Sequence, residues 1–322
     1  MSVEVVKPGL QTTLQDAGRP GWTHFGIGRA GAFDATALRI ANALCGNPRN
    51  ACGLEITLLG PTLRFPDDAW IAVTGAPIPL RVEGNERPTW APLCVPGGAT
   101  LEFGAIRTGC RSWLAVRGGF EVDPVLGSRS TDVNARLGPF EGRPVRAGDT
   151  LPVSVDGRMT ALRGKPNWRL DPRPWFADDP RQPLRLLPGR HIDRLAENAR
   201  KHLFSKPFKV DTDSNRVGLR LSGPTLDWAR PVEMVSEGCV PGLLQLPPSG
   251  QPIAFGPECP VSGGYPRIGQ IAAVDMPRLA QLKPGDTVRF VPATFDDALR
   301  ALDERERALR VLETHIAARL SP

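Results

Sequence analysis

One tyrosine in 322 residues is the sharpest shortage in this chain, which carries seven tryptophans and twelve phenylalanines. A buried tyrosine hydroxyl needs a partner, so a chain that wants only apolar bulk does better with phenylalanine. Tyr265 stands in VSGGYPRIG (261–269), between a double glycine and a proline that set an unusual backbone around it. The residue reads as placed for its hydroxyl, either toward a ligand or within a barrel wall.

Other shortages exclude whole classes. The cysteines, Cys45, Cys52, Cys94, Cys110, Cys239 and Cys259, include no C-x-x-C pair, so neither a zinc site nor a disulfide framework is indicated. His24, His191, His202 and His315 stand far apart in sequence, and no metal site or triad is assigned from them. No G-x-S-x-G elbow, Walker loop or H-E-x-x-H segment occurs. No apolar run approaches a membrane span, and MSVEVVKPGL lacks the apolar core of a signal peptide, so a cytoplasmic protein without a membrane partner is expected. The net charge of +6 comes from scattered arginines and not from a basic stripe, which argues against nucleic-acid binding.

Glycine and proline are abundant instead, 34 of each. Punctuation that dense breaks long helices and suits short strands joined by tight turns, so the chain reads as mostly β with few helices. WIAVTG (70–75), RSWLAVRGG (111–119) and RLLPG (185–189) are strand-like. Helical spacing appears in AFDATALRIANALCGN (32–47), with Gly46 as C-cap, and again in HIDRLAENARKHLF (191–204). The C-terminal TFDDALRALDERERALRVLETHIAARL (294–320) is an amphipathic helix opened by a Thr294–Asp297 capping pair. Its apolar stripe packs on its own body or on a partner.

The Pro- and charge-rich segment 164–183 reads as a linker between domains at 1–175 and 176–322. GPTL recurs at 60–63 and 223–226, a Gly-Gly-aromatic at 118–120 and 263–265, and GDT at 148–150 and 285–287. The shared order hints at a duplicated β unit, two similar barrels.

Several short stretches carry candidate chemistry. GIGRAG (26–31) fits G-x-G-x-x-G, but PGWTHF precedes it where a dinucleotide fold needs a buried strand. Its glycine amides ahead of a helix could still seat an anion. QDAGR (15–19) reads as a solvated turn, with a buried Asp16–Arg19 pair shaping a pocket as the alternative. SNRVGLRLSG (214–223) alternates, which puts Arg216 and Arg220 on one strand face, flanking a glycine where an anionic substrate can approach. Gln245 and Gln251 offer amides that both donate and accept, as an amide or ureido substrate requires.

Taken together, VKPGLQTTLQDAGRPGWTHFGIGRAGAFDATALRIANALCGNPRNACGLEIT, GSRSTDVNARLGPFEGRPVRAGD and the run from SNRVGLRLSG through SGGYPRIG resemble the KipA-like family. That family is also described as the C subunit of 5-oxoprolinase, as allophanate hydrolase subunit 2, or as subdomains A and B of a biotin-dependent carboxyltransferase. The resemblance covers about residues 3–300. It implies two β-rich subdomains, at least one like the cyclophilin barrel, working with a KipI-like subunit and a LamB/YcsF-like subunit. It implies an ATP-coupled reaction through the complex on a small amide or lactam, hydrolysing 5-oxo-L-proline to L-glutamate. The alternatives are half of a urea-carboxylase-type enzyme using carboxybiotin, or a non-catalytic antagonist of a KipI-like kinase inhibitor. In each, no metal site is detectable in this chain.

The motif positions carried over by the resemblance also include Asn42, Ser128, Thr131, Asp132 and Glu237, and the choice among positions is our own inference: Tyr265, Arg216 and Glu258 are the catalytic candidates. Gln15, Asp16, Arg19, Gly31, Asp34, Gln245, Gln251, Gly263 and Gly264 are the substrate-binding candidates. Two departures bear on this. Ala30 replaces a small polar residue of the first loop, and PECPVSGGY (257–265) puts Pro260 and Val261 where many relatives have Gln and Thr, keeping only a carboxylate at Glu258.

Overall fold

The computed structural model describes residues 1–154, 167–176, 182–230 and 232–320. The chain divides into two compact units, one made of Met1–Arg19, Asp34–Phe176 and Ala308–Pro322, the other of Pro20–Phe33 and Ala177–Arg307. Short strands dominate both, as the glycine and proline content requires. Of the linker segment, residues 164–166 and 177–181 lie outside the described residues.

The first unit holds two antiparallel sheets. One has six strands in the order Thr150–Pro152, Ser2–Lys7, Thr62–Arg64, Thr100–Phe103, Leu80–Val82 and Asn85–Glu86. The other has five, Gln11–Gln15, Gly53–Thr57, Arg111–Val116, Ala69–Gly75 and Pro92–Val95. In the second sheet Leu54 and Ile56, Leu114 and Val116, and Ile71 and Val73 share one face by the period-two rule, and all are buried. The helix Ala35–Cys45 packs on this sheet, where Thr74 Oγ1 donates to the Ala37 carbonyl at 2.7 Å. Asp34 caps that helix by accepting from the Ala37 N–H at 2.9 Å, and Gly46 ends it at φ 69°, as its sequence foretells.

In the second unit eight strands run in the order Thr287–Val288, Phe208–Val210, Gly218–Ser222, Ile253–Phe255, Leu243–Gln245, Arg267–Ile271, Leu184–Pro188 and Phe290–Pro292. The two edges, Thr287–Val288 and Phe290–Pro292, are parts of one extended run interrupted only at Arg289. A sheet whose first and last strands are neighbours in the chain has curled round on itself, which gives a nearly closed barrel. Leu184, Leu186, Phe208, Val210, Leu219, Leu221, Leu244, Ile268 and Phe290 belong to its buried core. Beside it, Glu237–Gly238 and Ser262–Gly263 form a separate two-stranded ladder.

Mostly-β architecture with a C-terminal helix is thus what the chain adopts. GDT opens a strand at both of its sites, Thr150–Pro152 and Thr287–Val288. Two local expectations change. The helix read from His191 begins only at Glu197, because Leu195 is extended at ψ 146° and bridges Trp228. Backbone bonds from Ala196 N–H to Asp227 and from Ala229 N–H to Arg194 outcompete the helical period there. The C-terminal helix, Phe295–Leu320, starts on the capping pair as expected, with the Asp297 N–H and Thr294 Oγ1 3.2 Å apart. Only Leu309 and Ile316 of its stripe are buried, whereas Phe295 and Leu299 are exposed. Glu313 fastens the final turns, accepting from Arg39 Nε at 2.6 Å and from Arg49 Nη2 at 2.6 Å. Burial pushes the Glu313 carboxyl up, but those hydrogen bonds outweigh it and hold the group below the usual carboxylate range.

Candidate functional site

A polar corner forms where three pieces of the second unit meet. In the barrel, Gln245 stands opposite Arg267. In the small ladder Glu237 stands opposite Gly263. The third piece follows the strand Leu184–Pro188, whose pairing with Arg267–Ile271 continues past its end. The Gly189 N–H donates to the Ile268 carbonyl, and the His191 N–H donates to the Arg267 carbonyl at 3.0 Å. This register brings Arg190, His191, Glu237, Gln245, Gly263 and Arg267 together, and Tyr265 lies in the chain between Gly263 and Arg267.

Glu237 bridges two guanidinium groups. Arg190 Nη1 donates to its Oε1 at 2.9 Å, and Arg267 Nη2 lies 3.1 Å from its Oε2. The second contact lacks hydrogen-bond alignment, and Arg267 Nε and Nη2 have no hydrogen-bond partner among the described residues. The side chains of Arg267 and Glu237 are 21% and 28% exposed. Two cations share one carboxylate, so the corner carries an excess positive charge; Arg190 is largely exposed, whereas Nε and Nη2 of Arg267 are themselves buried. Gln245 is buried beneath, its Nε2 3.7 Å from Cys239 Sγ. A side chain at Gly263 would meet that Nε2 at 2.9 Å and Cys239 Sγ at 3.1 Å, so the double glycine leaves room over the amide. Burial pushes the Cys239 thiol up, keeping it protonated.

Tyr265 is 46% exposed, and its hydroxyl has no partner among the described residues. The tyrosine is therefore not spent inside the barrel wall. Nor does it bond Arg216.

Arg216 occupies a different place from the strand-face platform suggested by alternation. The strand begins at Gly218, and Arg216 precedes it with a side chain only 2% exposed. Its Nε donates to Glu258 Oε1 at 2.5 Å, and its Nη2 donates to the Gly31 carbonyl at 2.7 Å. Gly31 has φ 98°, a conformation that suits glycine, and so turns its carbonyl toward the guanidinium. Glu258 is equally buried, and its backbone N–H donates to the Arg216 carbonyl at 3.1 Å. Arg220 is exposed on the strand. The two arginines thus differ in surroundings and do not form one platform.

In the first unit QDAGR is not a solvated turn. Gln15 and Arg19 are fully buried, and Asp16 nearly so. Asp16 Oδ1 accepts from Gly18 N–H at 2.8 Å, Ser128 Oγ at 2.6 Å and Ser130 Oγ at 2.5 Å, and Oδ2 accepts from Arg129 N–H at 2.7 Å. Gln15 Nε2 donates to the Thr131 carbonyl at 2.8 Å, and Arg19 Nη2 donates to the Ser130 carbonyl. The knot ties the 15–19 turn to the 128–131 segment. Gln251 in the second unit spends its amide on Gly223, accepting its N–H at 2.8 Å and donating to its carbonyl at 3.3 Å. Gly264 adjoins Ser236, whose Oγ lies 3.5 Å from where a Cβ would stand.

The helix after the 26–31 loop already carries the Asp34 carboxylate at its N-terminus, which leaves it poorly suited to a phosphate. The loop also lacks the lysine of a nucleotide cradle. These residues do not fit ATP. Among the described residues no helix is long and apolar enough to cross a membrane.

Sequence patterns pass over His191, and Glu237 enters only as a motif position carried over by the resemblance, with no role given to it. Both reach the corner through pairings across long stretches of chain, which no local pattern announces. The available signal is the resemblance of RLLPG and RIGQI to two adjacent antiparallel strands.

Comparison with known proteins fits this architecture. Residues 25–292 match the family model "Carboxyltransferase domain, subdomain A and B". The chain is 38% identical over 309 residues to the C subunit of 5-oxoprolinase from Escherichia coli strain K12, covering 95% of this chain and 96% of that one. It is 32% identical to the C subunit of 5-oxoprolinase from Haemophilus influenzae, covering 94% and 95%. Among solved structures, the K. lactis urea amidolyase superposes with a TM-score of 0.86 at 29% identity, over 96% of this chain but 20% of that much longer one. With most of its length matched, the chain belongs to the carboxyltransferase subdomain A and B family.

Proposed function

We propose that this chain is the C subunit of an ATP-dependent 5-oxoprolinase, which opens 5-oxo-L-proline to L-glutamate in a heteromeric complex. The observation that carries this reading is end-to-end similarity, 95% of this chain against 96% of a protein named as the C subunit of 5-oxoprolinase. The polar corner supports the choice of substrate. An anionic lactam needs a cation for its carboxylate and paired donors and acceptors for its amide. Arg267 supplies the cation, the Gln245 amide lies under Gly263, and Tyr265 offers a free hydroxyl at the rim.

In this reading Tyr265 contacts substrate, while Arg216 and Glu258 act by holding the Gly31 loop. The Gln15–Asp16–Arg19 knot and Asp34 shape the first unit, and ATP is bound by a partner, KipI-like or LamB/YcsF-like, since the residues here do not suit it. Single-chain turnover is therefore not expected.

The likeness to urea amidolyase favours a second reading, half of a urea-carboxylase-type carboxyltransferase. Urea itself is neutral and does not call on the charge at Arg267, which in that reading would serve only the carboxylate of carboxybiotin. The test is to purify the chain alone and with its KipI-like and LamB/YcsF-like partners, then follow ATP hydrolysis and glutamate release. 5-Oxoproline should stimulate hydrolysis by the complex and not by the single chain. Stimulation by urea alone would favour the second reading, and turnover by the isolated chain would remove the shared site.

A further inference from the structure

His191 is held in one state by the backbone. Its N–H donates to the Arg267 carbonyl at 3.0 Å, and the Arg267 N–H donates to His191 Nδ1 at 3.1 Å. An imidazole nitrogen that accepts carries no proton, so the neutral ring bears its hydrogen on Nε2. That Nε2 has no hydrogen-bond partner among the described residues. Protonating the ring would put a donor at Nδ1 against the Arg267 N–H and break the bond. Burial, and then the charges of Arg190 and Arg267, also lower the imidazole's pKa, while Glu237 and the backbone hydrogen bond with Arg267 oppose them without reversing the result.

The ring therefore combines three properties at one place. It is held by one bond from the Arg267 N–H while the backbone of the two residues is paired by a second, it is kept neutral, and it offers an unspent N–H beside Arg267 and Glu237. We propose that His191 is a catalytic residue, its Nε2–H hydrogen-bonding the lactam carbonyl oxygen of the substrate as water adds to the carbonyl carbon and the C=O pair moves onto that oxygen. The pair then returns as the ring C–N bond breaks, and the leaving nitrogen takes up the proton given up by the water. The assignment rests on the 5-oxoprolinase reading above. A neutral imidazole suits the task because it stabilises a developing oxyanion without first delivering its proton. Arg267 serves the substrate carboxylate at the same time, and the backbone bond between the two residues fixes the spacing of both donors.

The test uses the reconstituted complex with His191→Ala and His191→Gln. His191→Ala should lower kcat by about a hundredfold, the loss that follows removal of one oxyanion donor. His191→Gln keeps an N–H near the Nε2 position and should recover part of that loss, and both variants should melt with the wild type. The pH profile gives an independent readout. The lowered pKa sets the acid limb below the ordinary histidine value of about 6.5, wild-type activity should fall as pH drops through it, and His191→Gln should lose that limb. Nitrogen-15 NMR of the full chain should find the Nε2–H tautomer at neutral pH.

An active wild type with an indifferent His191→Ala overturns the histidine assignment alone. An Nδ1–H tautomer or an imidazolium at neutral pH overturns it as well. A wild-type complex that ignores 5-oxoproline overturns the functional reading, and this assignment with it.

Discussion

Two Arg–Glu pairs in the second unit have the same chemistry and opposite surroundings. Arg216 and Glu258 are each 2% exposed, and the guanidinium also serves the Gly31 carbonyl. Arg267 and Glu237 are 21% and 28% exposed, Glu237 is shared with Arg190, and part of the Arg267 fork is unspent. Taking two charges out of water costs several kcal/mol per ion, and close hydrogen bonding must offset it, so a buried pair is locked to its partner. The more open pair carries less of that cost, and with Nε and Nη2 of Arg267 unpartnered it is less constrained. The lesson is that residue type does not separate a structural arginine from an available one. The distribution of its donors does.

The sharpest way to break this comparison is to remove one member of the closed pair. Glu258→Ala leaves the Arg216 guanidinium buried without its carboxylate, and should cost about 3–5 kcal/mol of stability. Arg216→Ala should cost a similar amount and free the Gly31 loop. Chemical denaturation of the isolated chain measures both. Variants that unfold with the wild type and lose only turnover would return Arg216 to direct substrate contact.

The open pair should respond in activity and not in stability. Arg267→Ala should leave the unfolding midpoint nearly unchanged and lower kcat/KM of the complex for an anionic lactam by roughly thirtyfold or more, about 2 kcal/mol. Tyr265→Phe, which removes only a hydroxyl already facing solvent, should fold normally and lose less. Equal kinetics for wild type and Arg267→Ala would show that the unspent fork does no work on substrate.

How much of this is legible in the sequence depends on the range of the contacts. The helix Ala35–Cys45 with Asp34 and Gly46 at its ends, the strands Ala69–Gly75 and Arg111–Val116, and the Thr294–Asp297 cap are local, and their residues announce them. QDAGR reads as a solvated turn because the serines that bury Asp16 lie 112 and 114 positions away. Arg216 reads as a strand-face residue because alternation sees one strand and not the carboxylate 42 positions on. His191 escapes notice for the same reason, its partner being 76 positions distant. Tyr265 is singled out by its rarity, and its hydroxyl has no partner among the described residues.

The smallest expected effect is the most discriminating. Glu237→Gln removes one carboxylate from the open pair and leaves both arginines in place. Partly exposed ion pairs contribute less than buried ones and are screened by salt, so the loss of stability should stay within about 1 kcal/mol and shrink further at high ionic strength. Glu258→Gln, identical in chemistry, should cost much more and depend little on salt. Function should move in the opposite sense to stability. Glu237 competes with any anion for Arg267, so neutralising it should lower the KM for an anionic substrate a few-fold with kcat preserved, and leave the KM for a neutral one unchanged. A rise in KM would mean that Glu237 orients Arg267 more than it competes with substrate. A collapse of kcat would give the carboxylate a direct part in the reaction, and the open pair would then be no freer than the closed one.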